Sequence, residues 1–218
     1  MEHRINRLEV LVHKIAPMAL VAFILLGLGS CCPEDPYADY LNLIITTEPK
    51  SLDPAFSTDI TTGVITALMY DNLVRFGVGS EILPSLATSW EISDDGMSYR
   101  FHLRDDVTFW NGAVLTAADV RYSFERVLHA ETTSPQTWLL TPIQGSGAYM
   151  QGKADSLSGI GIVNDFEIVI TLTSPFAPFL GFMGAPATAI VQKSHPDSAR
   201  IDLKINPIIK ITKKGIKT

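Results

Sequence analysis

The chain has 218 residues, enough for one medium domain or two small ones. Its formal charge of −6 offers little to neutralise a run of phosphates, which argues against a nucleic-acid partner. With 46% hydrophobic and 18% charged residues it can bury a core, and its two cysteines support neither a disulfide framework nor a four-ligand zinc site.

Arg4, Arg7 and Lys14 give a weakly basic start, followed by sixteen uncharged residues from Ile15 to Ser30 that end in small residues. Basic region, apolar region and small-residue exit predict a secretory signal over residues 1–30. Pro17 and a run shorter than roughly 20 residues argue against a permanent membrane span. Leu28-Gly29-Ser30-Cys31 resembles the lipobox of bacterial lipoproteins. That resemblance implies a diacylglycerol on the Cys31 thiol and a lipid anchor at a membrane; an export signal with an incidental cysteine pair is the alternative. Residues 31–40, with Pro33 and Pro36 among acidic residues, read as a polar tether.

Leu41, Leu43 and Ile45 alternate with polar neighbours and predict a strand. The segment from Thr46 to Pro54, broken by Pro49, reads as a loop. Ile60, Val64, Ile65, Leu68, Met69 and Leu73 recur at helical spacing, predicting a helix from Asp59 to Asn72 whose apolar stripe is core. Trp90 and Ile92, the turn Asp94-Asp95-Gly96, then Tyr99, Phe101 and Leu103 predict a β-hairpin. Extended chain continues through Val107 and Phe109 on the same buried face, and Asn111-Gly112 marks a tight turn. Thr116 with Asp119 fits a capping box ahead of the stripe Val120, Phe124, Val127 and Leu128. Ile160 and Ile162, a turn at Asn164-Asp165, then Ile168, Ile170 and Leu172 predict a second hairpin. Pro175 to Met183 reads as a short helix and Ile190-Val191 as a final strand. Hairpins beside single helices indicate an α/β or α+β domain, a mixed sheet with flanking helices. Residues 201–218 carry six Ile and five Lys against one Asp, which reads as a basic tail or as translation in a wrong frame; the trusted folded segment is 41–200.

Chemistry is sparse. His102, His129 and His195 have no companions at ligand spacing, so no metal is expected. Asp94-Asp95 and Asp105-Asp106 suit turns, because strand neighbours point to opposite faces and cannot converge on one atom. No serine sits in a nucleophile elbow, and nothing supports an enzyme. Trp110 and Trp138 admit two readings, pocket wall or burial in the core or at the lobe surface.

Leu86 to Gly112, through Trp90, Asp94-Asp95-Gly96, Tyr99, Phe101, Leu103, Phe109 and Asn111-Gly112, continues into Leu115-Thr116, Asp119-Val120 and Ser123-Phe124. This stretch resembles the signature of the peptide/nickel family of ABC-transporter solute-binding proteins. Glu48-Pro49, Ser51-Leu52-Asp53-Pro54, Tyr70 to Val74, and Ser174-Pro175-Phe176 agree with it. The resemblance implies a two-lobed fold that closes on an extended peptide and delivers it to a membrane permease, in the periplasm or at the cell surface and without a cofactor. Residues 41–200 would form part of the first lobe, since members are considerably longer. The loop at the end of the first strand would face the cleft, which makes Thr47, Glu48 and Pro49 the candidate ligand residues. A simple proline turn explains them equally well. Two other functions stay open: a non-binding relic or interaction lobe from a frameshifted gene, and a nickel or haem carrier of the same family.

Overall fold

A computed structural model describes residues 41–45, 47–193 and 209–213, the side chains of 41–44 and 209–213 excepted. The signal, the lipobox with Cys31 and the tether therefore lie outside the described residues, as does most of the 201–218 tail. Residues 42–193 belong to one compact unit. Its frame is a four-stranded sheet in the order β4-β5-β7-β6, where β4 is Ala87–Ile92, β5 Ser98–Leu103, β6 Ile160–Asn164 and β7 Glu167–Thr171. Each pair in this sheet is antiparallel, so two hairpins lie side by side with β5 against β7. A separate antiparallel pair joins β2 (Val74–Phe76) to β3 (Ile82–Pro84). The class is the mixed one expected, with short sheets in place of a single mixed sheet. The first strand, β1 (Leu41–Ile45), falls where alternation put it, and β8 (Ile209–Lys213) lies in the tail.

The first hairpin closes as its sequence dictates. Gly96 takes a φ of +66° in the turn, where a side chain would strain the backbone. Asp95 Oδ1 accepts from the Ser93 hydroxyl at 2.6 Å and from the Met97 N–H at 3.0 Å, so this carboxylate serves the turn. The register sets Phe101 between Trp90 on β4 and Ile168 on β7. Tyr99, Phe101 and Leu103 are buried on one face, while Val107 and Phe109 are only partly covered. The opposite face carries Glu91, Arg100, His102 and Glu167, with Arg100 paired to Glu167.

Helix α2 (Ala117–Leu128) seals the buried face through Val120, Phe124, Val127 and Leu128, all buried. Its cap is the one the sequence announces: Asp119 Oδ2 accepts from the Thr116 N–H and hydroxyl, both at 2.9 Å. The helices α3 (Ser146–Met150) and α4 (Phe179–Phe182) are short.

Two expectations are corrected. Helix α1 (Ile60–Met69) stops earlier than expected, and its stripe is core only in part: Ile65 and Leu73 are buried, but Ile60, Val64 and Leu68 are exposed, Ile60 by 87%. Beside Ile65 the buried side presents Thr62 and Thr66, and α1 lies against the turn Pro186–Thr188. Helical periodicity marks a face without saying which face the neighbours cover. Ile190 and Val191 are buried but form no strand. Their N–H groups go singly to the Asp71 carbonyl and the Ser123 hydroxyl, each at 2.9 Å, so no ladder is built.

Candidate functional site

The loop that follows β1 is held at three points. The Thr47 and Thr61 hydroxyls share a hydrogen bond of 2.6 Å, and the Lys50 N–H donates to Thr62 Oγ1 at 3.3 Å. Thr62 is itself fixed by Asp59, which caps α1 with Oδ1 to the Thr62 N–H and Oδ2 to its hydroxyl. These bonds, the backbone one foremost, hold the Asp59 carboxyl below the usual carboxylate range. The third point is Asp53, whose Oδ1 caps the following turn through the Ala55 N–H at 3.0 Å and whose Oδ2 pairs with Arg126 of α2. Both partners are withdrawn from water, their side chains 5% and 10% exposed.

Between these points Thr47 and Glu48 are exposed and Pro49 is half-buried. Among the described residues Glu48 has no ion-pair partner. The three sequence candidates thus sit together on the surface of a loop with a fixed base. Polar groups presented this way can bind; no described nucleophile and base accompany them. Beside Asp53 and Arg126 lies Tyr70, whose buried hydroxyl has no hydrogen-bond partner among the described residues. Burial pushes its phenol well above the ordinary range, Asp53 adds to this and Arg126 opposes it. The sequence alone did not single out Arg126, for a salt bridge between residues 73 apart leaves no local signal, and Tyr70 entered only within the stretch that carries the family resemblance.

A second feature is an open groove of about 570 Å³, walled by Phe76, Ile82, Trp138, Pro178 and Phe182. Trp138 meets Phe182 edge-on with ring centroids 5.2 Å apart. Its indole N–H donates to Gln136 Oε1 at 2.8 Å, and the Gln136 amide donates to the Ser57 carbonyl at 2.8 Å. No lining residue is charged. Of the two candidate tryptophans, Trp138 is therefore a pocket wall, whereas Trp110 is 78% exposed outside the groove and belongs to neither reading. Among the described residues no group of three His, Cys, Asp or Glu could hold a metal.

The sequence model of the bacterial extracellular solute-binding proteins, family 5 (middle), matches residues 81–209. The chain belongs to this family. Family 5 is one of extracellular solute-binding proteins. The dipeptide-binding protein of Escherichia coli strain K12 is 32% identical over 160 residues, 69% of this chain. Heme-binding protein A of Haemophilus influenzae is 37% identical over 139 residues, which cover 60% of this chain and 24% of that protein. The solved Escherichia coli murein tripeptide binding protein MppA aligns over 75% of the chain with 32% identity and a TM-score of 0.66, covering 33% of that protein. The chain spans about 29% of the dipeptide-binding protein. The family match takes in both hairpins, α2 and α4, while the loop with Thr47, Glu48 and Pro49 precedes it.

Proposed function

We propose that this family 5 chain serves an ABC importer by capturing short peptides through the loop Thr47-Glu48-Pro49 and presenting them to a membrane permease. We further propose that a lipid on Cys31 anchors it at the periplasmic or cell-surface side of a bacterial membrane, residues 1–30 being the export signal. The supporting observation is the scaffold it shares with peptide-binding relatives, 32% identical to the murein tripeptide binding protein over three-quarters of this chain. An extended peptide suits such a protein because main-chain hydrogen bonds are blind to side chains, so one site accepts many sequences.

Titration calorimetry of the full chain with mixed tri- to pentapeptides tests the reading. A saturating heat is expected, and Thr47→Ala with Glu48→Gln should weaken binding about tenfold, roughly 1.4 kcal/mol. Silence at about 1 mM peptide would mean binding weaker than about −4 kcal/mol and would reject it. The anchor is tested separately: Cys31→Ser should move the chain from the membrane fraction to the soluble one and abolish incorporation of labelled fatty acid. The exposed stripe Ile60, Val64 and Leu68 favours one rival, a lobe that binds no peptide and sticks to other surfaces. Absent peptide heat combined with strong binding of an apolar dye would select that rival.

A further inference from the structure

We propose that Arg126 is the positioning residue of the peptide loop: by keeping the Asp53 carboxylate seated, it holds Thr47, Glu48 and Pro49 where a ligand meets them. The ligand part of this statement rests on the function proposed above; the coupling of Arg126 to the loop does not.

The argument starts from how few ties the loop has. Upstream it leaves Ile45, which is buried at the end of β1; downstream it enters the short turn Pro54–Phe56. Of the three points that pin it, the Thr47–Thr61 hydroxyl bond is exposed and open to exchange with water. The bond from Lys50 to Thr62 is long at 3.3 Å and only partly buried. The Asp53–Arg126 pair alone is both charged and withdrawn from solvent. Interactions of this kind strengthen where water is excluded, and a buried charge stripped of its partner is driven back toward solvent.

The geometry makes Asp53 the transmitting group. Its two oxygens look in different directions, Oδ1 into the loop's own continuation at Ala55 and Oδ2 across to α2. Its N–H is also bound, to the Ser51 hydroxyl at 3.0 Å. Moving this carboxylate therefore moves Ser51 and the turn together. Arg126 comes from the last full turn of α2, whose other face is locked into the core by Val127 and Phe124, so the guanidinium has a rigid mount. Tyr70 covers the pair from the end of α1 and offers it no hydrogen bond, leaving Arg126 as the group that answers the Asp53 charge. Loop residues thus inherit their position from the best-packed helix of the unit.

Amide hydrogen exchange of the full chain decides the matter. In Arg126→Met the hydrogen-bonded loop amides of Lys50, Asp53 and Ala55 should exchange at least tenfold faster, while Phe101, His102, Ile168 and Val169 in the sheet stay within twofold. Arg126→Lys keeps the charge but not the planar fork, and should show an intermediate acceleration of a few fold, again confined to the loop. Should Arg126→Met fail to fold, the Arg126→Lys result decides by the same criterion. Unchanged loop exchange, or acceleration shared equally by the sheet, overturns the proposal. Peptide affinity, where the unmodified chain shows any, should fall in Arg126→Lys by a factor similar to the loop acceleration; unchanged affinity overturns the ligand part. A chain that binds no peptide rejects the proposed function, and the exchange pattern then still decides whether Arg126 positions the loop.

Discussion

Phe101→Ala is expected to destabilise the chain by about 3–5 kcal/mol, a large share of the roughly 5–15 kcal/mol that holds an ordinary domain folded. Phe101 is among the largest side chains with no exposure at all, and its place in the sheet explains the size of the effect. It stands on the central strand β5, with Trp90 opposite on one side and Ile168 on the other, and joins the core that Phe124 of α2 completes. Truncation removes the transfer free energy of a benzyl group and leaves a cavity that three elements would have to move to fill. Strands locked in two ladders cannot collapse inward independently, so relaxation recovers little. Ile92→Ser, at the exposed end of β4, provides the contrast: it should change stability by no more than about 0.5 kcal/mol. Urea unfolding followed by circular dichroism measures both. A Phe101→Ala chain that loses less than about 1 kcal/mol would mean that the sheet and α2 do not share one core.

How much of this could be read in advance depended on whether the signal was local. The hairpins were legible because alternation has period two and their turns announce themselves: Asp95-Gly96 lies between β4 and β5, and Asn164-Asp165 at the point where β6 ends and turns into β7. The α2 cap was legible because Thr116 and Asp119 are three residues apart and answer each other. Features made by distant segments were not. Ile60, Val64 and Leu68 share the spacing of a core stripe with Ile65, yet of these only Ile65 faces inward, beside Thr62 and Thr66. The buried pair Asp53–Arg126 and the groove formed by Phe76, Trp138 and Phe182 bring together residues with no shared local pattern. Hydrophobicity alone likewise made Ile190 and Val191 look like a strand, although a side-chain hydroxyl and a loop carbonyl take their N–H groups. Of the ligand candidates, the loop's position at the end of β1 was readable, and the means of holding it was not.

Asp119→Ala should cost about 2–4 kcal/mol, more than an ordinary helix cap, because this carboxylate does two structural tasks at once. Oδ2 closes the capping box on Thr116, while Oδ1 accepts the Lys193 N–H at 2.9 Å and so ties the end of the described segment to the start of α2. Asp119 itself is buried and both bonds are partly so, and an N–H left without its acceptor there recovers only part of the lost bond from water. Loss of the cap alone accounts for about 0.5–2 kcal/mol, and the remainder comes from the charge-assisted bond to Lys193. Asp119→Asn separates the two contributions. An asparagine has one acceptor oxygen, so the N–H groups of Thr116 and Lys193 compete for it and one of them must face an NH₂ instead. The Thr116 hydroxyl can rotate to accept from that NH₂, but neither backbone N–H has such freedom. About half of the alanine effect is therefore expected for Asp119→Asn, with faster amide exchange at Thr116 or at Lys193 but not at both. Equal effects of the two substitutions would mean that the negative charge, rather than the pair of acceptors, holds this corner of the fold.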